Sequence, residues 1–171
     1  MRILVTGGAG YIGSHTAKLL AEAGHEPIVF DDLSQGHDWA VRWGPLEIGS
    51  LADRARLDEV LRSTRVEAVV HFAARALVGE SMTNPAAYFE TNTLGTFNLL
   101  EAMRSAGVGT LVFSSTCATY GDPIRVPIDE THPQAPVNPY GESKLMVERM
   151  LRWYGELYGL RWMALRYFNA A

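Results

Sequence analysis

Thr6-Gly7-Gly8-Ala9-Gly10-Tyr11-Ile12-Gly13 is the stretch on which the fold turns. Before it, residues 3–6 read as a short buried strand through Ile3-Leu4-Val5. After it, residues 11–23 carry helical apolar spacing, with Ile12, Thr16, Leu19, Leu20 and Ala23 on one stripe and Gly24 as the stop. The glycines can be read as Gly8-x-Gly10-x-x-Gly13 or as Gly7-x-x-Gly10-x-x-Gly13. Either way they let the backbone turn sharply and approach a pyrophosphate, which the free N–H groups and positive dipole of the helix N-terminus favour. Asp31 lies 18 residues beyond Gly13, about where an acidic side chain binds an adenosine ribose 2′-hydroxyl. A carboxylate there repels a 2′-phosphate, so the expected cofactor is NAD rather than NADP. The plainer alternative is a tight turn with Asp31 closing a loop.

The pattern repeats outward from that stretch. Strands are expected at 27–30, 46–48, 68–72, 110–114 and 161–167, and helices at 52–63, 85–106 and 139–158. Asn84-Pro85 supplies an N-cap and an N1 proline, and Gly107 and Gly159 stop the helices before them. Strands alternating with helices predict an α/β fold: a doubly wound parallel sheet, the Rossmann arrangement, covered on both faces. The proline-rich connection 115–138 is long for a bare loop, and such loops are usually functional.

Composition narrows the function classes. The 171 residues are 47% hydrophobic and 20% charged, which suits one domain with a real core. The formal charge of −4 and the lack of a basic stripe argue against nucleic acid as a partner. One cysteine, Cys117, excludes an internal disulfide, and the five scattered histidines show no metal spacing, so no metal is expected. Cys117 reads as a packing residue. No apolar run approaches a signal core or a membrane span, which makes the cytoplasm the default location.

Tyr140-Gly141-Glu142-Ser143-Lys144 carries the second chemical signal. On a helix it places a phenol and an ammonium one turn apart on one face. A neighbouring positive charge favours the phenolate, so the pair is expected to lower the Tyr140 pKa and move protons at a hydroxyl or carbonyl substrate. Among 15 Lys and Arg residues only Lys18 and Lys144 are lysines, so the choice at 144 stands out. Taken alone, the pentapeptide fits equally a core tyrosine beside a solvated lysine.

Glycine bend, Asp31 and Tyr-x-x-x-Lys in that order resemble an extended short-chain dehydrogenase/reductase. His71-Phe72-Ala73-Ala74, Val78-Gly79-Glu80-Ser81, Ser114 to Gly121, Pro139 to Lys144 and Arg166-Tyr167-Phe168-Asn169 resemble the UDP-glucose 4-epimerase branch of that family, over the whole chain. The resemblance implies NAD-dependent interconversion of UDP-glucose and UDP-galactose by transient oxidation at C4. It implies Tyr140 as base, Lys144 as its partner on the nicotinamide ribose, and Thr116 on the sugar 4-oxygen. It assigns the cofactor to Gly7, Gly10, Tyr11, Ile12, Gly13, Asp31, Ala73, Ala74, Asn92 and Tyr167, and the nucleotide-sugar diphosphate to Asn169. A homodimer through helices 85–106 and 139–158 is implied too.

Three departures accompany it. Gly49-Ser50 stands where the family often has Gly-Asp on the adenine amine, and Ala76 where bacterial enzymes often have lysine. The family also continues for roughly as many residues again, into a C-terminal substrate domain that this sequence lacks, leaving residues 1–171 as the NAD-binding domain. Cys117-Ala118 follow Thr116 where sister 4,6-dehydratases carry an acid, which favours the simpler C4 reaction. The alternatives are another nucleotide-sugar dehydratase, decarboxylase or reductase, or a dinucleotide-binding module without catalysis of its own.

Overall fold

The computed structural model describes residues 1–170. In chain order it comprises β1 (Arg2–Thr6), α1 (Tyr11–Glu22), β2 (Glu26–Asp31), β3 (Leu46–Ile48), α2 (Arg54–Ser63), β4 (Ala68–His71), the single turn α3 (Val78–Ser81), α4 (Pro85–Tyr88), a π-helical turn (Phe89–Leu94), α5 (Gly95–Ala106), β5 (Thr110–Thr116), α6 (Pro139–Tyr158) and β6 (Arg161–Tyr167). All six strands are parallel, in the order β3-β2-β1-β4-β5-β6. The order reverses between β1 and β4, which opens a crevice at the carboxyl ends of those strands, where ligands bind in sheets of this kind.

Local chemistry sets the element ends. Asn138 caps α6 by accepting the Gly141 N–H at 2.8 Å, Pro139 occupies its first turn, and Gly159 closes it at φ 71°. Asp53 caps α2 by accepting the Arg56 N–H, so the helix begins at Arg54, two residues later than the start expected from the sequence. Asn84 does occupy the N-cap before Pro85, but its side chain accepts no capping bond. The helix expected over 85–106 is present with a π turn inside it, and Gly107 ends it in the left-handed region at φ 72°.

The core is lopsided. Leu57, Val60 and Leu61 of α2, Leu99, Leu100 and Met103 of α5, and Val147 and Leu151 of α6 pack on Leu4, Val69, Leu111 and Phe113 in one continuous cluster. On the opposite face α1 covers β2, β1 and β4, where Ala17 packs with Ala9 and Val29, and Leu20 against Ile3, Val5 and Ala68. Burial on both faces was expected, and β5 departs from it: Leu111, Phe113 and Ser115 are buried while Thr110, Val112 and Ser114 are half-buried. The stripe expected on α1 is also displaced. Leu19 is 65% exposed and Ala23 is exposed, whereas Gly13 and Ala17 are buried, because small residues let the helix lie close to the glycine bend.

Candidate active site

The glycine bend resolves into the reading Gly7, Gly10, Gly13. Gly7 holds φ 69°, a conformation L side chains avoid, and a Cβ on it would meet the Ala73 nitrogen at 2.6 Å. A Cβ on Gly13 would run into the Gly7 carbonyl. Gly8 instead faces the sheet, where a Cβ would collide with the Val29 methyls. The N-terminus of α1 at Gly10 has no side-chain cap and no acid in its first turn, so its amides and dipole are free for an anion.

Two clefts of about 370 Å³ each meet at Gly7 and Gly10. The first is bounded by Asp31, Ser50, Ala73, Ala74 and Arg75. The buried Asp31 carboxylate accepts the Ala9 N–H at 3.0 Å on one oxygen and the Leu33 N–H at 2.9 Å on the other, which fixes it at the end of β2 with acceptor capacity to spare. Ser50 accepts the Ala52 N–H and keeps its hydroxyl proton available. The second cleft is bounded by Tyr11, Ile12, Gly13, Ala76, Ser114, Tyr140, Lys144 and Tyr167. Bend, uncapped helix end and acidic side chain together fit a dinucleotide spanning both clefts.

Tyr140 and Lys144 share this cleft because α6 presents them one turn apart against the end of β5. Lys144 is 3% exposed; its Nζ donates to the Ser114 carbonyl at 2.9 Å and lies 4.9 Å from the Phe113 ring centroid. Burial pulls its pKa down to about 7. The Tyr140 phenol sits above its ordinary value, not below it as the spacing suggested. Loss of hydration raises it, and the Thr116 hydroxyl opposes the rise only in part.

Three predicted residues lie off the cleft walls. Thr116 is buried at the end of β5, where its Oγ1 accepts the Ala118 N–H at 3.1 Å; it bears on the Tyr140 phenol. Asn92 sits behind the wall, fully engaged: its Oδ1 accepts the Arg75 N–H at 2.8 Å, and its Nδ2 donates to the Arg75 carbonyl and to Ser143 Oγ, each at 3.0 Å. It clips a cleft loop to α6 instead of lining the cavity. Asn169 is exposed past β6 and bounds neither cleft. Among the described residues no three His, Cys, Asp or Glu side chains gather as a metal site, and no helix is long and apolar enough to cross a membrane.

Two buried networks escaped the sequence reading. His71 bridges Thr6 Oγ1 at 2.6 Å and Thr96 Oγ1 at 2.8 Å. Thr96 donates to the Asn92 carbonyl, so His71 Nε2 must be the donor to Thr96 and Nδ1 the acceptor from Thr6. Burial, with a smaller push from Lys144, holds the imidazole neutral by lowering its pKa to about 3. The second network centres on Glu148, one turn beyond Lys144, which meets Ser115, Gln134 and Arg166. Its spacing from Tyr140 and Lys144 put it on their face of the helix and was the available signal.

The NAD dependent epimerase/dehydratase family matches residues 3–171. A UDP-glucose 4-epimerase of Rhizobium meliloti is 56% identical over 169 residues, 99% of this chain and 52% of that protein. The crystal structure of UDP-glucose 4-epimerase from Brucella ovis in complex with NAD superimposes with a TM-score of 0.98 at 54% identity, over 99% of this chain and 52% of that one. A Thermotoga maritima UDP-glucose 4-epimerase solved with UDP-glucose gives 0.94 at 39% identity, over 98% and 55%. The chain thus spans about half the length of the relatives it matches. With that match running through every strand and both clefts, the chain belongs to the NAD dependent epimerase/dehydratase family.

Proposed function

We propose that residues 1–171 form the NAD-binding domain of a UDP-glucose 4-epimerase, acting with a C-terminal substrate domain. The observation that carries this is the convergence of Tyr140 and Lys144 on one cleft that shares its glycine bend with the cleft holding Asp31. The amides at the start of α1 hold the pyrophosphate, and Asp31 accepts from the adenosine ribose. NAD, when bound, would supply a reversible hydride acceptor for C4 of the sugar. The Tyr140 oxygen takes the proton of the 4-hydroxyl and gives it back. Lys144, with its pKa drawn down to about 7, can share that proton near neutrality. Thr116 orients the 4-oxygen, Tyr167 closes the nicotinamide end, and Asn169 reaches toward the diphosphate. The turn after Thr116 carries Cys117 and Ala118, so no carboxylate is there to drive a dehydration.

The same reading makes the protein a cytoplasmic homodimer of galactose metabolism, paired through helices 85–106 and 139–158. Leu94, Phe97, Met146, Trp153 and Leu157 are exposed on those segments and suit such a contact. Tyr140→Phe in the full-length protein tests the assignment. The variant is expected to bind NAD as the parent does and to form UDP-galactose from UDP-glucose at least ~100-fold more slowly, the low end of what a positioned acid–base group contributes. Turnover within a factor of two of the parent rejects the assignment.

A further inference from the structure

Glu148 is a charged side chain 6% exposed that no step above uses. Its Oε1 accepts from Ser115 Oγ at 2.5 Å and from Arg166 Nε at 3.0 Å; its Oε2 accepts from Arg166 Nη2 at 2.6 Å and from Gln134 Nε2 at 3.0 Å. Four donors saturate the two oxygens, two of them the fork of one guanidinium. Burial works to raise this carboxyl, but Arg166, Ser115 and Gln134 together hold it below its ordinary value. Arg166 in turn donates to the Tyr120 hydroxyl at 2.8 Å.

The positions of these partners give the cluster its meaning. Ser115 and Arg166 are register partners across β5 and β6. The next rung pairs Thr116, which bears on the Tyr140 phenol, with Tyr167; Ser115 and Tyr167 both bound the second cleft. Among the described residues β6 pairs with β5 alone. Glu148 therefore clamps a rung that forms part of the wall of that cleft, from the same helix that carries Tyr140 and Lys144.

We infer that Glu148 is a positioning residue that locks the β5–β6 rung and so sets the nicotinamide-side wall of the second cleft, without touching cofactor or substrate. Breaking the clamp loosens the second cleft and leaves the first unchanged, because Asp31, Ser50 and Ala73 belong to other strands and loops.

The inference rests on the NAD reading above, and the ligand pair below separates the two. AMP can fill only the first cleft; NAD needs both. Isothermal titration of the full-length protein with each ligand, for the parent, Glu148→Gln and Glu148→Asp, reads the difference. Glu148→Gln, which cannot accept from both sides of the Arg166 fork, is expected to weaken NAD about tenfold and AMP by less than twofold. Glu148→Asp should recover part of the NAD loss. Gln134→Ala, which removes a single bond of the clamp and lies on neither cleft wall, should weaken NAD about threefold and AMP not at all; it decides the matter if Glu148→Gln does not fold. Equal weakening of both ligands, or no weakening of either, overturns the positioning role. A parent that binds neither ligand overturns the NAD reading and this inference with it.

Discussion

Lys144 shows how a single buried charge makes the site pH-sensitive. Its ordinary value is 10.5 and burial lowers it to about 7 in the folded chain. Below pH 7 both folded and unfolded chains hold the proton, and folding bears the full cost of burying an ammonium. Between about 7 and 10.5 only the unfolded chain holds it, so stability rises with pH across that window. Lys144→Met removes the charge at roughly equal volume. It is expected to raise the melting temperature by several degrees at pH 6 and by clearly less at pH 9, at about 2–4 °C per kcal/mol for a chain of this size. Melting curves at the two pH values check this; an equal shift at both means the lysine is not buried charged. His71 acts in the same direction at lower pH. Its imidazole stays neutral down to about 3, and the unfolded chain takes up a proton below 6.5, so acid withdraws stability there.

At the scale of elements, the π turn Phe89–Leu94 is the informative irregularity. Its N–H to C=O bonding runs one residue wider than in the helices on either side, with the Gly95 N–H reaching the Glu90 carbonyl. The turn carries Asn92 inward, where it ties the Arg75 backbone to Ser143 of α6. A regular helix over 85–106 would turn Asn92 by a fraction of a turn away from both partners. Asn92→Ala leaves the Arg75 amide without this acceptor and is expected to cost about 2–3 kcal/mol, the upper range for a buried group left unpaired. Urea unfolding measures it; a loss under about 1 kcal/mol means the clip does not hold the loop.

At the scale of the whole molecule, the uneven covering of the sheet matters most. Val70 of β4, Val112 of β5 and Met163 of β6 are register partners in one row across three strands. Val70 packs on the cluster that holds Leu20 of α1 and Val112 is half-buried, whereas Met163 is 59% exposed, so the row opens toward β6. Contiguous apolar surface of this kind drives association. Met163→Ser is expected to reduce binding of an apolar dye by the 171-residue chain at least twofold, while leaving pairing through helices 85–106 and 139–158 unchanged in sedimentation velocity. Unchanged dye binding means that the row is not an open apolar surface.

The sequence by itself determined the strand–helix alternation, the glycine bend, Asp31 after β2, and the Tyr140–Lys144 pair. Each is a local signal, written in residues that are neighbours in the chain or one helical turn apart. It determined the ends of α6 for the same reason, since Asn138, Pro139 and Gly159 act on adjacent backbone. Only the tertiary structure chose Gly7 over Gly8, because the choice depends on Ala73 and Val29, which the sheet brings to the bend. Only it turned Asn92 from a cleft residue into a clip, gathered Ser115, Gln134 and Arg166 around Glu148, and raised the phenol that spacing alone expected to fall. Hydration lost on burial and hydrogen bonds between distant strands are properties of packing, and no pattern along the chain carries them.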